Sequence, residues 1–178
     1  MTSGRIWLIS GIPGAGKTTI ARALCARYAK AIHIPVDDLR ELVVTGHASP
    51  IEWTEETTRQ FALARRSAAR MAAEYSDEGF AAVIDDVARD EDIDQFTRHL
   101  NGRTLTKVAL IPSLDVALAR NRDRTNKSFD TSILEPVVRR LHRSLAESCR
   151  RGAGWIALDT SDMDVEASVR EIVRRADG

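Results

Sequence analysis

Apolar residues along this chain fall into two alternating kinds of stretch. Five short runs are apolar almost throughout: RIWLIS (5–10), AIHIPV (31–36), FAAVID (80–85), LTKVALI (105–111) and WIALD (155–159). Such a run offers no polar side to water, so each is expected to be a strand covered on both faces, as in a parallel sheet. Between the runs, apolar residues recur at three- and four-residue intervals, which gathers them on one side of a helix. KTTIARALCARYAK aligns Ile20, Ala23 and Leu24 with the following Ala31, and EETTRQFALARRSAARMAAEY aligns Phe61, Leu63, Ala64, Ala68, Met71 and Tyr75. Both stripes read as core. Further helices are expected at 38–44, 91–100, 113–124, 133–150 and 164–176. Strand and helix therefore alternate, which predicts a three-layer α/β fold. Only TGHASPIEW (45–53) resists assignment, because its Gly, Pro and Ser disfavour helix and strand alike.

Composition narrows the picture. At 178 residues and 19.7 kDa the chain fits one well-buried core, so residues 1–178 are expected to form a single domain. Lys and Arg total 26, as do Asp and Glu, and a net charge of zero argues against a broad nucleic-acid or anionic-lipid surface. Cys25 and Cys149 lie far apart and near no histidine pair, which points away from a disulfide framework or a zinc site. No signal-peptide pattern opens the sequence, and no apolar run nears the roughly 20 residues of a membrane span. A soluble, cytoplasmic monomer or homodimer is the expectation.

The chemistry begins between the first strand and its helix. GIPGAGKT, Gly11 to Thr18, fits G-x-x-x-x-G-K-[ST] and sits where that motif requires. Glycines at Gly11, Gly14 and Gly16 let backbone N–H groups, including those of Ile12, Pro13's neighbours and Ala15, converge on phosphate oxygens. The helix that follows points its positive end at the same anion. Lys17 is expected to reach the β- and γ-phosphates. Thr18 offers its hydroxyl to Mg²⁺, an ion that takes few protein ligands. Thr19, next on the helix, belongs to the same nucleotide site. The cofactors implied are ATP and Mg²⁺.

Carboxylates follow at two strand ends. VDDLR (36–40) places Asp37 where ligands bind in open α/β sheets, the position of a general base for an acceptor hydroxyl; Arg40 lies one turn on. Helix capping is the competing use of Asp37 or Asp38. VIDD (83–86) brings Asp85 to the same edge, as a magnesium-side carboxylate, a substrate contact or a cap. Later, LARNRDRTNKSFDTSI sets Arg120 and Arg124 four apart before a polar stretch. That suits a lid over about 120–132 that supplies charge compensation, against a solvated face balanced by Asp115 and Asp123.

Taken in order, these motifs resemble the small P-loop kinases and phosphotransferases that include chloramphenicol phosphotransferase, zeta toxins, gluconate and shikimate kinases and the kinase module of polynucleotide 5′-kinases. The resemblance runs from GIPGAGKT through VDDLR, VIDD and LARNRDR to ALDTSDMDVEASVREI. It implies a P-loop fold with a five-stranded parallel sheet in the order 2-3-1-4-5. It implies that Asp37 holds the family's catalytic acidic position, that Asp37 and Arg40 form a D-x-x-R pair, and that Arg120 and Arg124 are the lid pair. It also implies that LDTSD (158–162), with Thr160, lies beside adenine. The acceptor-binding pattern of gluconate and shikimate kinases is missing.

The expected activity is transfer of the ATP γ-phosphate to a hydroxyl of a small molecule such as an antibiotic, sugar or nucleoside. The acceptor is expected in a closed, partly apolar pocket beside Asp37, covered by residues 45–63, with Trp53, Arg59 and Phe61 shaping it. Two other readings stay open. One is a polynucleotide 5′-kinase using charge from Arg59, Arg65, Arg66 and Arg70, although nucleic acid is not the expected partner. The other is a nucleotide-binding regulator or ATPase without an acceptor.

Overall fold

The computed structural model describes residues 3–122 and 135–178. Five strands form one parallel sheet: β1 (Ile6–Gly11), β2 (Ala31–Pro35), β3 (Ala81–Asp86), β4 (Leu105–Leu110) and β5 (Trp155–Leu158). Their order is β2-β3-β1-β4-β5, the order the resemblance implies. The helices are α1 (Lys17–Cys25), α2 (Val36–Glu41), α3 (Glu55–Asp77), α4 (Asp94–Thr97), α5 (Leu114–Arg122), α6 (Glu135–Arg151) and α7 (Val165–Asp177). Since every strand runs the same way, all carboxyl ends meet along one edge of the sheet, where ligands bind in folds of this kind.

Two buried clusters cover the sheet. Trp7 and Ile9 of β1 and Val83 of β3 pack with Ile20 and Leu24 of α1 and Val169 and Ile172 of α7. Ile6 and Leu8, Ile34, Ala82 and Ile84 pack instead with Phe61, Ala64 and Ala68 of α3. Successive residues thus alternate between an α1 side and an α3 side, and burial on both sides explains why the strand runs are apolar throughout. Among the described residues, no helix is long and apolar enough to cross a membrane.

Several boundaries differ from the sequence pattern. The helix expected over 17–30 ends at Cys25, and its last residues form tighter turns, with the Arg27 and Tyr28 N–H groups donating to the carbonyls of Leu24 and Cys25. Ala31 belongs to β2, not to the α1 stripe. On α3 the inner face is richer in alanine than expected: Ala64, Ala68, Ala69, Ala72 and Ala73 are buried, while Leu63 and Tyr75 are exposed. Small residues let this long helix lie close to the sheet. The helix expected over 91–100 breaks into a short turn at Asp90–Asp92 and the single turn of α4. Asp92 is the cause: its carboxylate turns inward, accepting from the Arg89 N–H at 3.0 Å and from Arg65 at 2.8 Å.

Candidate active site

The loop between β1 and α1 forms a cradle. Its Ala15 N–H donates to the Ile12 carbonyl at 3.1 Å, and Gly14 and Gly16 take left-handed conformations (φ 83° and 89°) that suit glycine alone. A Cβ on Gly14 would collide with the Ala117 carbonyl oxygen, whereas a Cβ on Gly16 would meet nothing within 4 Å. Space is therefore open directly over the amino end of α1. That end carries no side-chain cap and no acidic residue in its first turn, so its N–H groups and dipole are left for an anion. Ile12 and Ala15 are buried beneath the loop, while Pro13, Lys17 and Thr18 are half-buried and Thr19 is exposed. Lys17 folds across the cradle, Nζ donating to the Ile12 carbonyl at 3.4 Å.

At the end of β2 the helix starts earlier than expected. Pro35 occupies the cap position of α2, and no side chain caps it. Capping by Asp37 or Asp38 is thereby corrected, because Val36 already opens the helix and both aspartates lie inside its first turn. The helix dipole still favours their charge there. Asp37 is half-buried and Asp38 exposed. Arg40, only 4% exposed, donates from Nη2 to the Ala48 carbonyl at 2.7 Å and lies 3.9 Å from the centroid of the Phe61 ring. Its Nε finds no hydrogen-bond partner among the described residues. Burial draws its pKa down, opposed by the charges of Asp37, Asp86 and Glu41.

Residues 45–53 are irregular, as their composition predicts, and polar ties hold them. Gln60 donates to the Gly46 carbonyl at 2.7 Å and accepts from the Ala48 N–H at 3.0 Å, while Thr57 donates to the Ser49 carbonyl at 3.1 Å. Trp53 stacks on Phe61 at 5.1 Å and donates to Thr58 at 2.8 Å, so Trp53, Phe61 and Arg40 form a column. The expectation of an enclosed apolar pocket here is not met at Trp53, which is 55% exposed. Leu42, Val44, Ile51 and Trp53 are exposed, because hydrogen bonds rather than apolar packing anchor the segment. Arg59 also faces solvent, paired with Glu56 at 3.4 Å, and does not join the column.

The two aspartates of VIDD point to opposite sides of the sheet. Asp85 lies within β3, opposite Ile9 and Pro35, which removes its reading as a helix cap. It is 4% exposed, and His33 of β2 donates from Nε2 to its Oδ2 at 2.7 Å. Asp86 is sealed on the α3 side by Arg65, whose Nε donates to it at 2.6 Å and whose Nη1 donates to Asp92 at 2.8 Å. Burial alone would lower the Arg65 pKa, but Asp86 and Asp92 outweigh it and the net shift is upward. Arg65, counted by sequence among surface charges for a polynucleotide, is spent inside the fold. His33, Asp86 and Asp92 carry no spacing signal; only the alternation within the strands hints at which side each takes.

Across the sheet, half-buried Arg120 donates from Nη2 to the Thr160 carbonyl at 3.1 Å, joining the end of α5 to the segment after β5. Thr160 is buried, and its hydroxyl oxygen has no partner among the described residues. Arg122 pairs with Glu135 at 2.7 Å. Arg124 and most of the expected lid, 123–132, lie outside the described residues.

These features meet in comparisons with known proteins. A family model described as an AAA domain matches residues 6–148. Similar solved structures include a gluconokinase from Sinorhizobium meliloti 1021, at 19% identity and a TM-score of 0.63 over 99% of this chain and 95% of that one. Another is a shikimate kinase from Bacteroides thetaiotaomicron, at 17% and 0.66 over 98% and 99%. A third is a tunicamycin resistance protein from Deinococcus radiodurans, at 20% and 0.60 over 97% and 95%. At these identities the likeness is one of fold. No curated protein matches the chain in sequence.

Proposed function

The chain belongs to the AAA-domain family matched over residues 6–148, and from that premise we propose that it is an ATP- and Mg²⁺-dependent phosphotransferase acting on a hydroxyl of a small molecule. The observation that carries this reading is the open, uncapped amino end of α1 at Gly16, set on the same sheet edge as Asp37. In this reading, N–H groups of the Gly11–Gly16 loop, those of Gly14 and Gly16 among them, hold the phosphates, while Pro13 shapes the loop without an N–H to give. Lys17 exchanges its contact with the Ile12 carbonyl for their oxygens. Asp37 accepts the proton of the acceptor hydroxyl as it attacks, and Arg40, held by Ala48 and Phe61, fixes the acceptor beside it. Trp53 extends the acceptor surface. Arg120, with Arg124, compensates charge from the α5 side, and the buried Thr160 hydroxyl borders the adenine.

The residues present also fit magnesium. Thr18 and Asp85 are hard oxygen donors at one edge, and few protein ligands are what this ion uses when phosphates supply the rest. Magnesium bound there would offset phosphate charge during transfer. Kinases of sugars and shikimate and a tunicamycin resistance protein share the fold, which supports a small hydroxylated acceptor. The burial of Arg65 leaves the polynucleotide reading with less surface charge.

The test is transfer from radiolabelled ATP to a panel of sugars, nucleosides and hydroxylated antibiotics, with a 5′-hydroxyl oligonucleotide alongside. Transfer to a small molecule is expected, and Asp37→Asn should lower kcat by about 10²-fold or more with ATP affinity little changed. Transfer to the oligonucleotide alone, or ATP hydrolysis indifferent to every acceptor, would overturn the proposal.

A further inference from the structure

We propose that His33 is a positioning residue for the magnesium-side carboxylate, fixing Asp85 so that one carboxylate oxygen is held and the other is left for the cation or its waters. This rests on the reading of Asp85 given above. His33 sits in β2 opposite Val83, and strand alternation turns it, like Val83 and Asp85, toward the α1 side of the sheet. There its Nε2 meets Asp85 Oδ2 at 2.7 Å, with the two side chains 13% and 6% accessible. Asp85 makes no other side-chain hydrogen bond among the described residues. Its neighbour across β1 is Ile9, two residues before the phosphate loop begins at Gly11.

The chemistry of the partner matters. Magnesium demands near-octahedral geometry and tolerates little wandering of its ligands. A carboxylate with one oxygen tied by an N–H donor loses the rotation that would carry the other away from the ion. At Asp86 the donor is an arginine, whose positive charge offsets that of the carboxylate, while Asp86 Oδ1 is buried without a partner among the described residues. At Asp85 the donor is a single imidazole nitrogen on one carboxylate oxygen.

The experiment is calorimetric binding of ADP, without metal and across a Mg²⁺ titration, to wild type, His33→Leu and His33→Gln. The leucine variant removes the donor; glutamine keeps an N–H near the position of Nε2. Metal-free ADP affinity should stay within about twofold in both variants, while Mg²⁺ affinity of the ADP complex should fall about 10- to 100-fold in His33→Leu and recover most of that loss in His33→Gln. If His33→Leu does not fold, His33→Asn, whose shorter amide falls short of Asp85, takes its place. Unchanged Mg²⁺ affinity in the donor-deleting variant, or no recovery with glutamine, would overturn the proposal. Failure of wild type itself to bind ADP would overturn the nucleotide-site reading along with it.

Discussion

Asp85 and Asp86 stand side by side at the end of β3, yet the pleat sends one to the α1 side of the sheet and the other to the α3 side. Asp86 meets Arg65 at 2.6 Å, and their side chains are 1% and 8% accessible. Asp92, Gln95 and the Val87 carbonyl accept from the other guanidinium nitrogens. Asp85 meets a single histidine. A buried ion pair gains little over well-packed apolar residues, because desolvation offsets most of its attraction, but breaking one strands a charge. The α3-side carboxylate is therefore committed to holding the chain after β3 in place. The α1-side carboxylate, beside the phosphate loop, is the one the proposal above gives to magnesium. Identical side chains at adjacent positions thus meet different partners, a histidine and an arginine, and the side of the sheet decides which.

The largest effect should come from breaking the α3-side network. Arg65→Met should destabilise the fold by about 3–5 kcal/mol, since Asp86 would be left buried without its cation and Asp92 with only Arg89, 3.7 Å away. Urea unfolding measures this, and a loss under about 1 kcal/mol would erase the distinction between the two carboxylates. Asp85→Asn should do the opposite: stability within about 1 kcal/mol of wild type, because the amide oxygen still accepts from His33, but kcat lower by about 10²-fold. An unfolded Asp85→Asn protein, or one with full turnover, would place Asp85 with Asp86 as a structural group.

The smallest effect should come from an exposed pair that serves as a baseline for both. Glu171 on α7 is held down to about 2 by hydrogen bonds from Arg174 and Arg175. Because its folded pKa lies below its unfolded one, any stabilisation is present above the ordinary glutamate range and is lost as pH falls toward 2. Both partners are at the surface, so the difference between wild type and Glu171→Gln should be slight at neutral pH, shrink with salt and vanish at the acid limit. A difference that persists below that limit would show that packing, not charge, sets it.

The same comparison explains what the sequence displays and what it conceals. The phosphate loop is legible because its glycines, lysine and threonine are contiguous and flanked by recognisable elements. The sheet is legible because strands covered on both faces are apolar at every position. Pairings between distant residues are not: His33 meets Asp85 across 52 positions, and Arg65 meets Asp92 across 27. Arg65 looks like solvated charge on a helix until its partners on β3 and the following turn are placed. The helix expected over 91–100 fails for the same reason, since the inward turn of Asp92 answers a cation far back in the chain. Asp37 was legible as a strand-end carboxylate, yet its place in the first turn of α2 depended on where Pro35 let the helix begin.

The account stands or falls on whether the open cradle over α1 is a nucleotide phosphate site. Calorimetric titration of MgATP into wild type and Lys17→Ala, with thermal unfolding of both, tests this most directly. Lys17 is half-buried at the start of α1 and absent from the buried core, so its loss should leave the unfolding temperature within a few degrees of wild type. The prediction is a single saturable site in wild type, lost or severely weakened in a folded Lys17→Ala protein. MgATP binding of equal strength in both proteins, or no binding in a folded wild type, would contradict it.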